Sequence, residues 1–206
     1  ASILPVFVTS PATAPMISTN TGKIEAVSTG LAFVGAGTGN LVNSGTIVAT
    51  ESAALQVGGS IKDITNSGTI SGTAGVMVFG EVTGTLTNSG TITATGPDGG
   101  INVSGSVAGA VTNSGTITAA GSGVIVSGSV GGDLTNSGTI SSTNASGILT
   151  RASAAAEVIN SGTISGAVYA IDFAASGGGS AKSHTVRLRT GSTLNGNLRG
   201  GAATDS

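Results

Sequence analysis

Residues 113–135 read NSGTITAAGSGVIVSGSVGGDLT, and this stretch decides the fold. Read at alternate positions, its apolar residues are Ile117, Val124, Val126, Val130 and Leu134, with the small Ala119 two places after the isoleucine. Gly, Ser and Asp punctuate the gaps. The spacing has period two rather than 3.6, so it predicts three short strands, each turning one face inward. A helix is disfavoured because glycine and β-branched residues interrupt every stretch long enough to hold one.

Outward from this stretch the same unit recurs. The string NSGTI begins at Asn43, Asn66, Asn88, Asn113, Asn136 and Asn160, and a variant, NTGKI, begins at Asn20. Successive starts are 23, 23, 22, 25, 23 and 24 residues apart, which marks one unit laid down seven times with its insertions in loops. Equivalent positions agree. The isoleucine position is Ile24, Ile47, Ile70, Ile92, Ile117, Ile140 and Ile164. The middle pair runs from Leu31/Phe33 through Val76/Val78 and Val124/Val126 to Ile171/Phe173. Two residues before each NSGTI stands Leu41, Ile64, Leu86, Val111, Leu134 or Val158.

Units of this length cannot close separate cores. The predicted fold is therefore all-β, a parallel β-helix of seven to eight coils with three short strands per coil. Each strand pairs with its equivalent in the next coil, and like residues stack about 4.8 Å apart, so seven coils make a rod of roughly 34 Å. The glycines are expected to supply positive-φ corners between strands. Alternation places Asn43, Asn66, Asn88, Asn113, Asn136 and Asn160 inward. An unpaired buried amide costs on the order of 1–3 kcal/mol, so these side chains are expected to bond one another along the rod as a structural ladder.

Composition agrees with a stack of small side chains. Glycine fills 36 of 206 positions, charged residues are 8% and aromatics 2%. The apolar content of 38% is too high for a polar disordered chain, no apolar run reaches membrane-spanning length, and there is no cysteine for a disulfide scaffold. A net charge of −2 gives no general attraction to nucleic acid. The charge is uneven: residues 1–180 hold eight acids and three bases, whereas residues 181–206 hold Lys182, Arg187, Arg189 and Arg199 against Asp205. Three regions follow. Residues 1–19 read as a cap or incomplete first coil, 20–173 as the repeated coils, and 174–206 as a Gly/Ser-rich loop followed by an altered final coil.

The repeated LTNSGTI coils, followed by TVRLRTGSTLNGNLRGG, resemble the passenger regions of bacterial autotransporters and related secreted β-helical adhesins; the resemblance spans residues 20–201. It implies a right-handed β-helix exported to the bacterial cell surface or secreted. Such a rod serves there as a stalk or adhesive surface whose partners are other protein chains or cell-surface molecules. Self-association into a homo-oligomer or end-to-end filament is a further expectation. No barrel-like series of amphipathic strands follows the repeats, so the resemblance implies an exported portion, truncated or processed from a longer chain.

Signals for catalysis are sparse. The single histidine, His184, lies in the Gly/Ser stretch and is expected to be solvent-exposed. There is no nucleophile elbow and no His/Cys cluster, so no catalytic, metal or cofactor residue is assigned and the chain reads as a non-enzyme. Parallel β-helices also host polysaccharide-cleaving enzymes, which need clustered carboxylates. Here Asp63 and Asp133 occupy equivalent places but are separated by two coils, which makes that alternative the weaker one.

Two outward arrays remain. Beside the isoleucines stand Thr46/Val48, Thr69/Ser71, Thr91/Thr93, Thr116/Thr118, Thr139/Ser141 and Thr163/Ser165. A flat Thr-x-Thr face of this kind, with Thr91, Thr93, Thr116, Thr118, Thr139 and Thr163 at its centre, suggests ice binding as the alternative function. On the middle strands Met77, Ile125 and Leu149, with Phe79 nearby, are expected to form an exposed apolar patch for a protein partner.

Overall fold

The computed structural model describes residues 6–9, 18–151, 157–173 and 184–200. The chain forms a parallel β-solenoid of about seven turns. Its strands stack into an eight-stranded sheet, a four-stranded sheet and a 15-stranded sheet. The largest sheet comprises two faces, the isoleucine strands and the middle strands. They join through Thr163–Phe173, an 11-residue strand that runs on from one face to the other.

Like residues lie over like. Ile24 pairs with Ile47, Ile47 with Ile70, and so on through Ile92, Ile117, Ile140 and Ile164 to Leu194. The isoleucines from Ile47 to Ile164 have no solvent exposure, and each contributes about 1.5–3 kcal/mol through burial. The middle pairs stack in the same way, from Leu31/Phe33 over Leu55/Val57 to Ile171/Phe173. A third apolar column, Leu41 to Val158, comes from the strands that carry the asparagines.

Four coils add a two-residue strand to the expected three: Ser60–Ile61, Glu81–Val82, Ser106–Val107 and Ser129–Val130. Its inward Ile or Val closes the gap between the middle strand and the next asparagine strand, and all four are buried. The SGS and GEV segments carry too few apolar residues for alternation to reveal a strand there.

The glycines do not work as expected. Among the described residues only Gly35, Gly99, Gly191 and Gly196 have positive φ. The Ser-Gly corner instead needs glycine because successive coils pass too close for a Cβ. A methyl on Gly115 would collide with the Gly90 carbonyl oxygen and stand 2.6 Å from the Ser89 carbonyl carbon. Close backbone approach, rather than left-handed conformation, fixes this residue in each NSGTI.

Before the repeats, Val6–Thr9 pairs with Leu31–Val34 and Ser18–Asn20 with Leu41–Asn43, so parts of residues 1–19 belong to the solenoid. Of the Gly/Ser-rich stretch, residues 174–183 lie outside the described residues, as do 201–206 at the other end of that region. The altered final coil consists of Val186–Leu188 on Val158–Asn160 and Thr193–Arg199 on the long strand. Register shifts between Ser165 and Tyr169 and between Tyr169 and Ile171 leave extra residues in the long strand opposite the shorter Thr193–Arg199.

Candidate functional site

The innermost polar feature is the amide ladder. Nδ2 of Asn20 donates to Oδ1 of Asn43 at 2.7 Å, and the relay continues through Asn66, Asn88, Asn113 and Asn136 to Asn160 at 2.7–2.8 Å. The second N–H of each interior asparagine turns to the carbonyl of the glycine two residues on, as in Asn113 to Gly115 at 3.2 Å. The Asn113 backbone carbonyl receives the Ser137 and Gly138 N–H groups at the corner of the coil above. Interior members are at most 2% exposed. A ladder so fully engaged has no donor left for a ligand.

The outward threonines form a two-column array. Thr46, Thr69, Thr91, Thr116, Thr139, Thr163 and Thr193 are aligned in one column, and Val48, Ser71, Thr93, Thr118, Ser141 and Ser165 in the next. Thr91, Thr93, Thr116 and Thr118 thus occupy four adjacent points, with rows about 4.8 Å apart and columns about 6.7 Å apart. Thr69, Thr91, Thr116 and Thr118 are exposed; Thr93, Thr139 and Thr163 are half-buried. A further column, Thr65, Thr87, Thr112 and Thr135, lines the neighbouring sheet. The first letter of each TNSGT carries that signal, one residue before the asparagine and apart from the isoleucine's flanks.

The apolar face differs from expectation. Met77 pairs with Asn102, Asn102 with Ile125 and Ile125 with Leu149, so the column exists. Yet Ile125 and Leu149 are only 7% and 9% exposed. For Ile125 the cause is the loop around Gly99, whose turn at φ 87° passes close to the Ile125 side chain. Met77 is half-buried, and of the four named residues only Phe79 is exposed. The patch therefore reduces to Phe79 with the edge of Met77.

The carboxylates also sort by column. Hydrogen bonds from Leu41, Ile64, Leu86, Val111 and Leu134 to the next coil align Asp63, Thr85, Ala110, Asp133 and Glu157. Two coils separate Asp63 from Asp133, and Asp63 spends Oδ1 on the Thr85 N–H at 2.8 Å. Asp133 and Glu157, by contrast, sit on adjacent coils. That neighbour pair was readable, since each precedes its inward apolar residue, Leu134 or Val158. Glu157 is committed to Arg187 at 2.7 Å, a bond that pushes the guanidinium pKa up. In the same coil Arg199 grips the buried Asp172 with two bonds, 2.5 and 2.8 Å, and lies over the Tyr169 ring; its pKa is likewise raised by the Asp172 bond.

His184 is not freely exposed. It is half-buried and stacked on Phe173 with ring centroids 4.5 Å apart, closing the end of the middle column. Among the described residues no group of three or more His, Cys, Asp or Glu is arranged to hold a metal, and no helix is long and apolar enough to cross a membrane. No family model, curated protein or solved structure matches this chain.

Proposed function

We propose that this chain is a structural and adhesive rod of a bacterial cell surface, exported and non-enzymatic, which holds its partners by repetition. The observation that supports this most is the register. Each coil repeats its outward positions directly above those of the coil before, so a weak contact made by one coil is available again about 4.8 Å away. Linked weak sites raise avidity without a deep pocket. The LTNSGTI resemblance supports the cellular setting.

The test is to shorten the rod in register. Deleting residues 66–112 joins Thr65 to Asn113 and removes two whole units. Beads coated with the native or shortened chain are then scored for attachment to glycan-coated, protein-coated and bare surfaces. Attachment that falls more steeply than the number of coils supports repetition. Equal attachment by both chains, or none by either, removes the reading.

The Thr array favours a second reading, ice binding, because its four central hydroxyls are in register on adjacent coils. Thr116→Tyr in the exposed column would then abolish shaping of ice crystals, and a native chain that leaves ice growth unchanged rejects it.

A further inference from the structure

One interior coil breaks the outward pattern. The unit that begins at Asn66 carries Met77, Phe79 and Glu81 at outward positions, where the coil before has Gln56, Gly58 and Ser60 and the coil after has Asn102, Ser104 and Ser106. Phe79 stands at the bend between the middle strand Ala74–Val78 and the short strand Glu81–Val82. Its neighbours along the rod, a glycine and a serine, are too short to cover the ring, which is 49% exposed. The buried Val57, Val78 and Val103 supply the packing beneath, so nothing in the stack requires an aromatic residue at this place.

Polar groups stand on both sides of the ring. Toward the middle strands are the amides of Gln56 and Asn102, one on each adjacent coil and so about 9.6 Å apart along the rod. Asn102 is held in place: its Nδ2 donates to the Asp98 carbonyl at 3.2 Å and its Oδ1 accepts from Ser104 Oγ at 3.0 Å, which leaves one N–H and one lone pair unspent. Toward the short strands is the exposed carboxylate of Glu81, bordered by Ser60 and Ser106. Among the described residues the side chains of Gln56 and Glu81 make no hydrogen bond. An added peptide strand has no place here, because Ala74–Val78 and Glu81–Val82 are each paired on both sides. An apolar plate with amides on one side and a carboxylate on the other instead matches a sugar ring. A pyranose turns C–H groups to one face and hydroxyls outward along its edge, so the face can lie on Phe79 while the hydroxyls reach the amides and the carboxylate. Glu81 disfavours an anionic sugar, and these three columns hold no base within one coil of it.

We propose that Phe79 is the stacking platform of a binding site for a neutral pyranose, whose hydroxyls are read by Glu81, Asn102 and Gln56. Such a ring is carried by a glycan partner of the adhesive rod proposed above, a reading on which this assignment rests. The site occurs once, so it adds one specific contact to those made by repetition. The shortened rod, which lacks residues 66–112, loses this site together with two units, and full-length variants tell the two losses apart.

Saturation-transfer NMR on the full chain tests this, with methyl β-glucoside and methyl β-galactoside as neutral probes, methyl β-glucuronide as the anionic probe and choline as the cationic one. The native chain should transfer saturation to the ring C–H protons of at least one neutral glycoside, with a Kd in roughly the millimolar range that a small ligand allows. Phe79→Ala should weaken binding by roughly tenfold or more and Glu81→Gln by roughly threefold or more. Val34→Ala is the control, since Val34 is equally exposed, at 49%, in the same column two coils away, and it should leave binding unchanged. Circular dichroism reports the fold, and if Phe79→Ala fails to fold, Phe79→Leu, which keeps apolar bulk without a flat face, decides. No transfer to either neutral glycoside, equal binding by the Phe79 variant, or equal binding of the glucuronide or choline would each overturn the proposal. Bead attachment that persists without any sugar signal would overturn this site alone and leave the adhesive reading standing.

Discussion

Asn113→Ala tests whether the amide ladder holds coils together or merely fills space. The native Asn113 Oδ1 accepts from Asn88 at 2.8 Å, and its Nδ2 donates to Asn136 Oδ1 at 2.8 Å. Alanine removes both bonds at once. Asn88 Nδ2 retains Gly90 at 3.2 Å and a long contact with the Thr116 carbonyl at 3.5 Å but loses its one short acceptor, and Asn136 Oδ1 loses its donor. Both neighbours are at most 2% exposed, so water cannot replace what is lost. At about 1–3 kcal/mol per stranded buried group, the expected loss is roughly 2–6 kcal/mol before any cavity term. Asn20→Ala strands only the Asn43 oxygen at a half-buried end, and half that loss or less is expected.

Urea unfolding followed by circular dichroism measures the whole-chain effect. Amide hydrogen exchange localises it, because a solenoid can open coil by coil. Asn113→Leu separates the two causes, since it refills the volume yet still strands both neighbours. Leucine is expected to rescue little. A bonding role for the ladder is refuted if Asn113→Leu restores native stability, or if Asn113→Ala costs no more than Asn20→Ala.

Other perturbations follow from the same contacts. Gly115→Ala should cost several kcal/mol or prevent folding through its collision with the Gly90 carbonyl, whereas Gly22→Ala, with no atom within 4 Å of the added Cβ, should be nearly neutral; comparable midpoints for the two would contradict the close-approach argument. Thr150→Val should stabilise by about 1 kcal/mol, because the Thr150 hydroxyl is buried without a partner among the described residues, in a column where Val78, Val103 and Val126 precede it and Phe173 follows, and a lower unfolding midpoint would refute this. Asn113→Asp should destabilise at pH 7 and recover in acid: a carboxylate still accepts from Asn88 but has no proton for Asn136, so the neutral form is favoured and the folded-state pKa rises above about 3.9. Folding then takes up a proton, so the penalty is full above the raised pKa and shrinks as pH falls toward the unfolded value; equal destabilisation at pH 7 and pH 4, measured against the native chain, would refute it.

The solenoid was legible because its contacts are between equivalents. Where Ile92, Ile117 and Ile140 must lie over one another, each coil selects the same residue as the last, and the selection appears as a repeat. The corner glycines were legible as positions but not as a cause, since the demand comes from the Gly90 carbonyl one coil away rather than from local φ. Ile125 was misplaced for a related reason. Alternation says which side of a strand faces out, but says nothing of a loop such as that around Gly99, which folds back over the outer side. His184 gave no pattern because it occurs once. The candidate faces were only partly readable, as outward positions are not held to one residue: Thr91 and Thr116 agree, while Met77, Asn102 and Ile125 do not.

This difference between inner and outer positions bears on where function can reside. An inward substitution disturbs the coils above and below it, so the columns permit few exceptions, and the described exceptions gather toward the high-numbered end. Thr150 stands between Val126 and Phe173, Leu188 takes the place above Asn160, and on the outer side Asp172 follows Leu149 and holds Arg199. Each alters how one coil receives the next. The interior coils exchange only small or apolar residues at most inward positions and change polarity freely on their outer surface, where a substitution meets solvent and leaves the stack intact. On this physical division the outer surface of the coils is free to be specialised for contact with a partner.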